Sequence, residues 1–153
     1  MPLCHPEHVC CVGSPDFLGV SQDSISYAEV LKLPLVLAGQ GDNLRGIVKE
    51  DKQFKELTRA CKLEINSLPV LIAVIRDAFG CAFLAARTVK EYVERGELNA
   101  RLITDPIISR ELHIVYLRDS VHTPLLNKLA GIIKAQIIQA FDPNDETIEP
   151  IYD

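Results

Sequence analysis

Residues that ligate metals or exchange electrons crowd the start of the chain: MPLCHPEHVCCVG holds Cys4, His5, His8, Cys10 and Cys11. Three chemistries are open to such a stretch. A tetrahedral zinc site would use thiolates and imidazoles, with Cys4, His5, His8 and Cys10 as its ligands, but their spacing lacks the paired short intervals of structural zinc sites. A redox switch would need an exposed thiol of lowered pKa. The third reading is a strand. Val9 and Val12 are β-branched, and cysteine is a common small buried hydrophobe. Adjacent strand residues point to opposite faces, so Cys10 and Cys11 would not easily share one metal. The spacing therefore predicts a buried strand over 8–13.

Other chemistry-bearing residues are sparse. His113 lies in an alternating stretch and His122 in a loop, neither beside a nucleophile in sequence. The chain has no GxSxG, no P-loop and no motif that implies a cofactor. Five cysteines is an odd number without the spacing of a disulfide framework, which points to a reducing cytoplasm. Cys61 and Cys81 begin predicted strands and are expected to be buried. The formal charge is −5 and the pI near 5.4. Lys49, Lys52 and Lys55 alternate with Glu50, Asp51 and Glu56, the pattern of a solvated helix face. Nucleic-acid affinity needs clustered Lys and Arg, so this chain is expected not to bind DNA or RNA directly. No apolar run approaches the roughly 18–20 residues that span a bilayer, and the first residues are expected not to form a secretory leader.

The elements that must position any site alternate. Strands are predicted at 8–13, 35–38, 62–65, 81–86, 97–104 and 110–117. A polar loop fills 14–24. Ser26 with Glu29 three residues later forms a capping box ahead of a helix that stops at Pro34. Asp42 caps a helix to about Leu57, with Leu44, Ile47, Val48, Phe54 and Leu57 near one face. A helix over 66–80 has Ser67 as cap, Pro69 in its first turn and Gly80 as its stop. It is apolar on nearly every side and so should be well buried. Thr88–Arg95 is a helix closed by Gly96, and Thr123-Pro124 opens a last helix to about Ala140. Residues 142–153 are an acidic tail.

Strands alternating with helices predict an α/β fold, a mostly parallel sheet with helices on both faces. In such sheets ligands bind beyond the carboxyl ends of strands, at helix N-termini. Two such points are legible. Strand 35–38 runs into Gly39-Gln40-Gly41, and strand 62–65 runs into Asn66-Ser67. Each leads into a helix whose first N–H groups and partial positive charge suit a small anion or a carbonyl. The plainer alternative is that Gly, Asn and Ser here only make turns and caps.

Several segments together carry a family resemblance. LPLVLAGQGDNLRGIVKE, with its PLVL-loop-LR element at 34–45, is one. EINSLPVLIAVIRDAFG follows, with Ser67, Leu68, Leu71, Ala73 and Gly80 in register. Then come ERGEL at 94–98, DPIISREL at 105–112, VYLRD at 115–119, and Thr123-Pro124. In order and spacing these resemble the effector-binding domain of LysR-type transcriptional regulators, from about Glu7 to about Ile138. Two features depart from the family pattern. Ala85 stands where proline usually follows the apolar strand, and the winged helix-turn-helix and the first part of lobe one have no counterpart.

The resemblance implies a periplasmic-binding-protein-like (type 2) lobe. Residues from about 20 to 106 would be lobe two, with 7–13 and 110–140 as crossover and lobe-one elements, and 1–141 as a partial domain in all. Gly39, Gln40, Asn66, Ser67 and Leu68 would line the effector cleft, with the Ser67 hydroxyl and flanking N–H groups holding a small, anionic metabolite. Peroxide-sensing members carry reactive cysteines after the strand matching 35–38, where this chain has Gly39-Gln40-Gly41-Asp42. The expected partners are a small-molecule effector and further copies of the chain, as a homodimer or higher oligomer, with no direct nucleic acid and no membrane. A stand-alone small-molecule-binding or protein-interaction module is the alternative. A metal-binding protein or an enzyme is less favoured.

Overall fold

The computed structural model describes residues 6–21, 23–38, 51–110, 113 and 123–140. Residues 8–110 make one compact unit, and residues 1–7 with 111–153 a second.

The first unit is built on one sheet. β1 (Glu7–Gly13) is the strand expected of HVCCVG, buried along most of its length. Its adjacent cysteines do face opposite ways. Cys11 packs with Val9, Leu35, Cys81 and Phe83, while Cys10 packs with Val12, Ala82, Leu84 and Leu71. The other strands are β2 (Ile25–Ser26), β3 (Leu35–Ala38), β4 (Cys61–Ile65), β5 (Cys81–Ala85), β6 (Asn99–Thr104) and β7 (Ser109–Arg110). Their order is β2-β6-β1-β5-β3-β4, with β7 paired to β1. β3 is parallel to β4 and β5, and β2 is parallel to β6. β1 runs antiparallel to its neighbours, with Cys11 opposite Phe83 on β5 and Arg101 on β6. The sheet is thus mixed, because β1 enters it against the direction of the βα units.

Helices cover both faces. On one lie α1 (Pro15–Leu18), α2 (Tyr27–Val30) and α3 (Asp51–Ala60), which contribute Leu18, Tyr27, Val30 and Leu57 to the core. On the other lie α4 (Leu68–Arg76), a 3-10 turn (Ala86–Val89) and α5 (Lys90–Glu94), with Leu71, Ile72, Ile75 and Val89 inward. Each of these buried aliphatic side chains contributes about 1.5–3 kcal/mol relative to exposure.

Several sequence expectations are corrected. The capping box at Ser26 and Glu29 forms as read, but it opens a single turn after a two-residue strand, not a helix to Pro34. The loop 14–24 contains α1, with Pro15 in its first turn. α4 is buried on one face only; Leu68, Val70 and Pro69 are exposed. Gly80 does not stop α4, which ends at Arg76 with Ala78 at φ 61°. Gly80 serves close approach instead: a Cβ there would lie 2.5 Å from the Pro34 carbonyl oxygen. That same oxygen accepts the Cys81 N–H at 2.9 Å, so β5 is drawn against the start of β3. Gly96 does close α5, at φ 71°, and the turn it makes delays β6 to Asn99. The expected helix residues 42–50, and strand residues 111–117 apart from His113, lie outside the described residues, as does the tail.

Two polar residues hold the loop after α1 onto β6. Asn99 is buried and donates to the Gly19 and Ser21 carbonyls at 2.9 and 2.7 Å. Arg101 donates from Nε to Asp23 O at 2.8 Å and from Nη2 to Ser24 O at 2.9 Å.

In the second unit α6 (Thr123–Ala140) spans the range read from the sequence. No helix among the described residues is long and apolar enough to cross a membrane.

Candidate functional site

The chain leaves β3 and β4 at the same end of the sheet. The two strands are parallel neighbours and Ala38 stands opposite Ile65. The residues that follow them are those singled out for ligand binding. Gly39 and Gln40, after β3, lie outside the described residues. Asn66 and Ser67, after β4, are described and exposed, and Leu68 opens α4 with 44% of its surface accessible. The sheet therefore brings Asn66, Ser67 and Leu68 to the carboxyl edge where an α/β fold binds ligands.

The local chemistry of this corner is unsaturated. Ser67 occupies the N-cap position with extended backbone, φ −111° and ψ 116°, yet its side chain makes no capping hydrogen bond. Its carbonyl accepts the first helical bond, from Leu71 N–H at 2.9 Å. The N–H groups of Ser67, Leu68 and Val70 precede that bond, so they have no partner within the helix, and Pro69 has no N–H to offer. No acidic residue lies in this first turn to neutralise it. The corner presents a hydroxyl, N–H groups without helical partners and the positive end of a helix dipole, a set of the kind that can receive a carboxylate or a polarised carbonyl oxygen. The contrast with Ser26 is instructive: there the hydroxyl accepts from Glu29 N–H at 3.3 Å and donates to its carboxylate at 2.7 Å, which also holds the Glu29 carboxyl below its usual range.

Among the described residues the thiols take no part in this corner. Cys11 and Cys81 are fully buried and in contact. The hydrogen bond to Cys81, with burial added, pushes the Cys11 thiol well up, and the same contact lowers Cys81. Cys61 is half-buried rather than buried as expected, and burial raises its thiol too. Of the zinc candidates, Cys4 and His5 lie outside the described residues. Cys10 lies in the core and His8 Nδ1 is 3.0 Å from the Ser109 hydroxyl. Among the described residues no three His, Cys, Asp or Glu side chains gather as a metal site would require. Of the enzyme candidates, His113 is exposed and His122 lies outside the described residues.

The polar clamps made by Asn99 and Arg101 escape sequence reading. Their one sequence signal is a pair of polar residues set into the strand pattern NARLIT.

Comparison with known proteins shows the family and the fold. The family model of the LysR substrate binding domain matches residues 1–137. The regulatory domain of MetR from N. meningitidis, a LysR family regulator solved as a mutant with two cysteines changed to serine, superposes with a TM-score of 0.71 at 16% identity, over 99% of this chain and 70% of that one. The reduced form of OxyR superposes at 0.70 with 19% identity, over 92% and 65%. The effector-binding domain of QuiR in complex with shikimate superposes at 0.68 with 13% identity, over 92% and 65%. No curated protein matches the sequence significantly. The chain belongs to the LysR substrate-binding domain family, the effector-binding portion of LysR-type regulators, and has its periplasmic-binding-protein-like α/β fold.

Proposed function

We propose that this chain binds a small, anionic metabolite at the carboxyl ends of β3 and β4, and that it does so as the sensing part of a cytoplasmic transcriptional regulator. Residues from about 20 to 106 correspond in this reading to lobe two, with 7–13 and 110–140 as crossover and lobe-one elements. Gly39, Gln40, Asn66, Ser67 and Leu68 form its share of the binding cleft. A carboxylate oxygen accepts from the Ser67 hydroxyl and from the N–H groups opening α4. Asn66 supplies an amide for a ligand hydroxyl or carbonyl. The observation that carries the reading is Ser67: it stands at an N-cap on a ligand-binding edge, and its hydroxyl is not used to cap. QuiR, of the same fold, is a complex with shikimate, a small carboxylic acid.

We also propose that copies of the chain associate. Leu63 on the edge strand β4 and Val70 on α4 are each about half exposed, at 48% and 50%, and exposed apolar edges invite pairing.

The test is calorimetric titration of the chain with a panel of small carboxylates, shikimate first, repeated on Ser67→Ala. A hydrogen bond to a charged ligand group is worth about 1.5–3 kcal/mol, so the variant should bind about tenfold or more weakly. Because Ser67 makes no cap bond, the ligand-free variant should melt at the wild-type temperature. A ligand bound equally well by Ser67→Ala would place the site elsewhere.

A further inference from the structure

β4 ends the sheet, and among the described residues it is paired on one side only, to β3. Its central residues Lys62, Leu63 and Glu64 are exposed, and Leu63 is 48% accessible. Among the described residues neither Lys62 nor Glu64 has an ion-pair partner. A strand paired on one side is a template for a further strand, and the charges along it decide which strand and which register it accepts.

Lys-Leu-Glu is complementary to itself in one arrangement. Residues two apart on a strand share a face, so Lys62 and Glu64 lie on one face and Leu63 on the other. In an antiparallel pair of β4 strands centred on Leu63, each Lys62 stands directly opposite Glu64 of the other copy, and the two Leu63 side chains meet at the axis. Moving the centre to Lys62 would oppose two lysines, and moving it to Glu64 would oppose two glutamates. A one-residue slip would set Leu63 opposite a charge, and a parallel in-register pair would oppose like charges at both positions. Opposite charges facing across strands stabilise a pair and like charges destabilise it. The charges that resist other registers therefore select this one. The β3–β4 ladder shifts register between Cys61 and Leu63, which confines regular pairing to a short stretch about Leu63.

We infer that two copies of the chain join edge to edge through β4, antiparallel about Leu63, with two reciprocal ion pairs between Lys62 of one copy and Glu64 of the other. This rests on the reading that copies associate, and it gives that association a place. The patch is the same on both copies and complementary to itself, as a closed two-fold dimer requires.

Sedimentation velocity of the full chain over a concentration series at low salt tests it with three charge variants. The substituted side chains are exposed, so each variant keeps the fold, and an unchanged circular dichroism spectrum verifies this. Lys62→Glu alone and Glu64→Lys alone each turn both ion pairs into like-charge contacts, and each should weaken association about tenfold. The double variant Lys62→Glu, Glu64→Lys keeps both pairs with their charges exchanged and should associate within about twofold of the unaltered chain. An equimolar mixture of the two single variants should form a mixed dimer, because one carries acids at both positions and the other bases. Single variants that associate as well as the unaltered chain would overturn the inference and leave association to another surface. A double variant as weak as the single ones would overturn it too. An unaltered chain that stays monomeric throughout the series would overturn both the inference and the association beneath it.

Discussion

β4 and β5 flank β3 on its two sides, both parallel to it, and both open with a cysteine. They differ in almost every other respect. β5 is Cys-Ala-Phe-Leu-Ala, buried at all five positions. β4 is Cys-Lys-Leu-Glu-Ile, exposed at its three central ones. The interior strand packs on both faces and is paired on both sides, so only apolar residues are tolerated. Among the described residues the outer strand is paired on one side only, and Lys62 and Glu64 keep its central part solvated. The comparison separates two jobs. β5 supplies stability, and β4 ends at the exposed Asn66 and Ser67, which the proposal above makes part of the ligand site.

The largest effect that would test this contrast lies in β5. Phe83→Ala removes a ring that is 4% exposed between β1 and the helices over it. It should cost about 4 kcal/mol in urea denaturation. Gly80→Ala comes next. Its new Cβ would meet the Pro34 carbonyl oxygen and Val36 Cγ2, at 2.5 and 2.9 Å, and backbone there cannot yield cheaply. A loss of about 2 kcal/mol is expected, read by the same method. A smaller effect follows pH. The Tyr27 hydroxyl donates to Gln53 O at 3.2 Å and so ties α2 to α3, the helix that leads into β4. Burial, with Glu56 adding to it, pushes the phenol up to about 12 from an ordinary 10. Its contribution is present in full below the ordinary phenol pKa and is lost as pH rises through the folded-state value of about 12. Melting should therefore drop across that window more in the wild type than in Tyr27→Phe. The smallest effect is in β4. Leu63→Ala should change stability by less than about 0.5 kcal/mol, while lowering self-association in sedimentation.

These sizes also mark what the sequence can tell. Elements set by local chemistry are legible: the Ser26–Glu29 capping box, the turn at Gly96, the whole of α6, and β1 with its two cysteines turned apart. Sheet order is not, because it depends on which distant strands pair. Nothing in CKLEI announces an edge, so Cys61 reads as a buried residue. Nothing in HVCCVG announces that β1 runs against its neighbours. α1 is hidden by its short length. Gly80 reads as a helix stop because its true constraint, the Pro34 carbonyl, lies far back in the sequence. At the candidate site, the strand-to-helix corner at Asn66-Ser67 is legible from residue types. That the Ser67 hydroxyl does not cap its helix is not, since a serine at an N-cap ordinarily bonds its own helix, as Ser26 does.

The most direct test of the account is an amide NMR titration of the labelled chain with shikimate and then other small carboxylates. The account predicts saturable shifts at Ser67, Leu68 and Val70, at the start of α4, that need about tenfold more ligand in Ser67→Ala. A carboxylate that binds while these amides stay still, and that moves β6 or α6 instead, would contradict it.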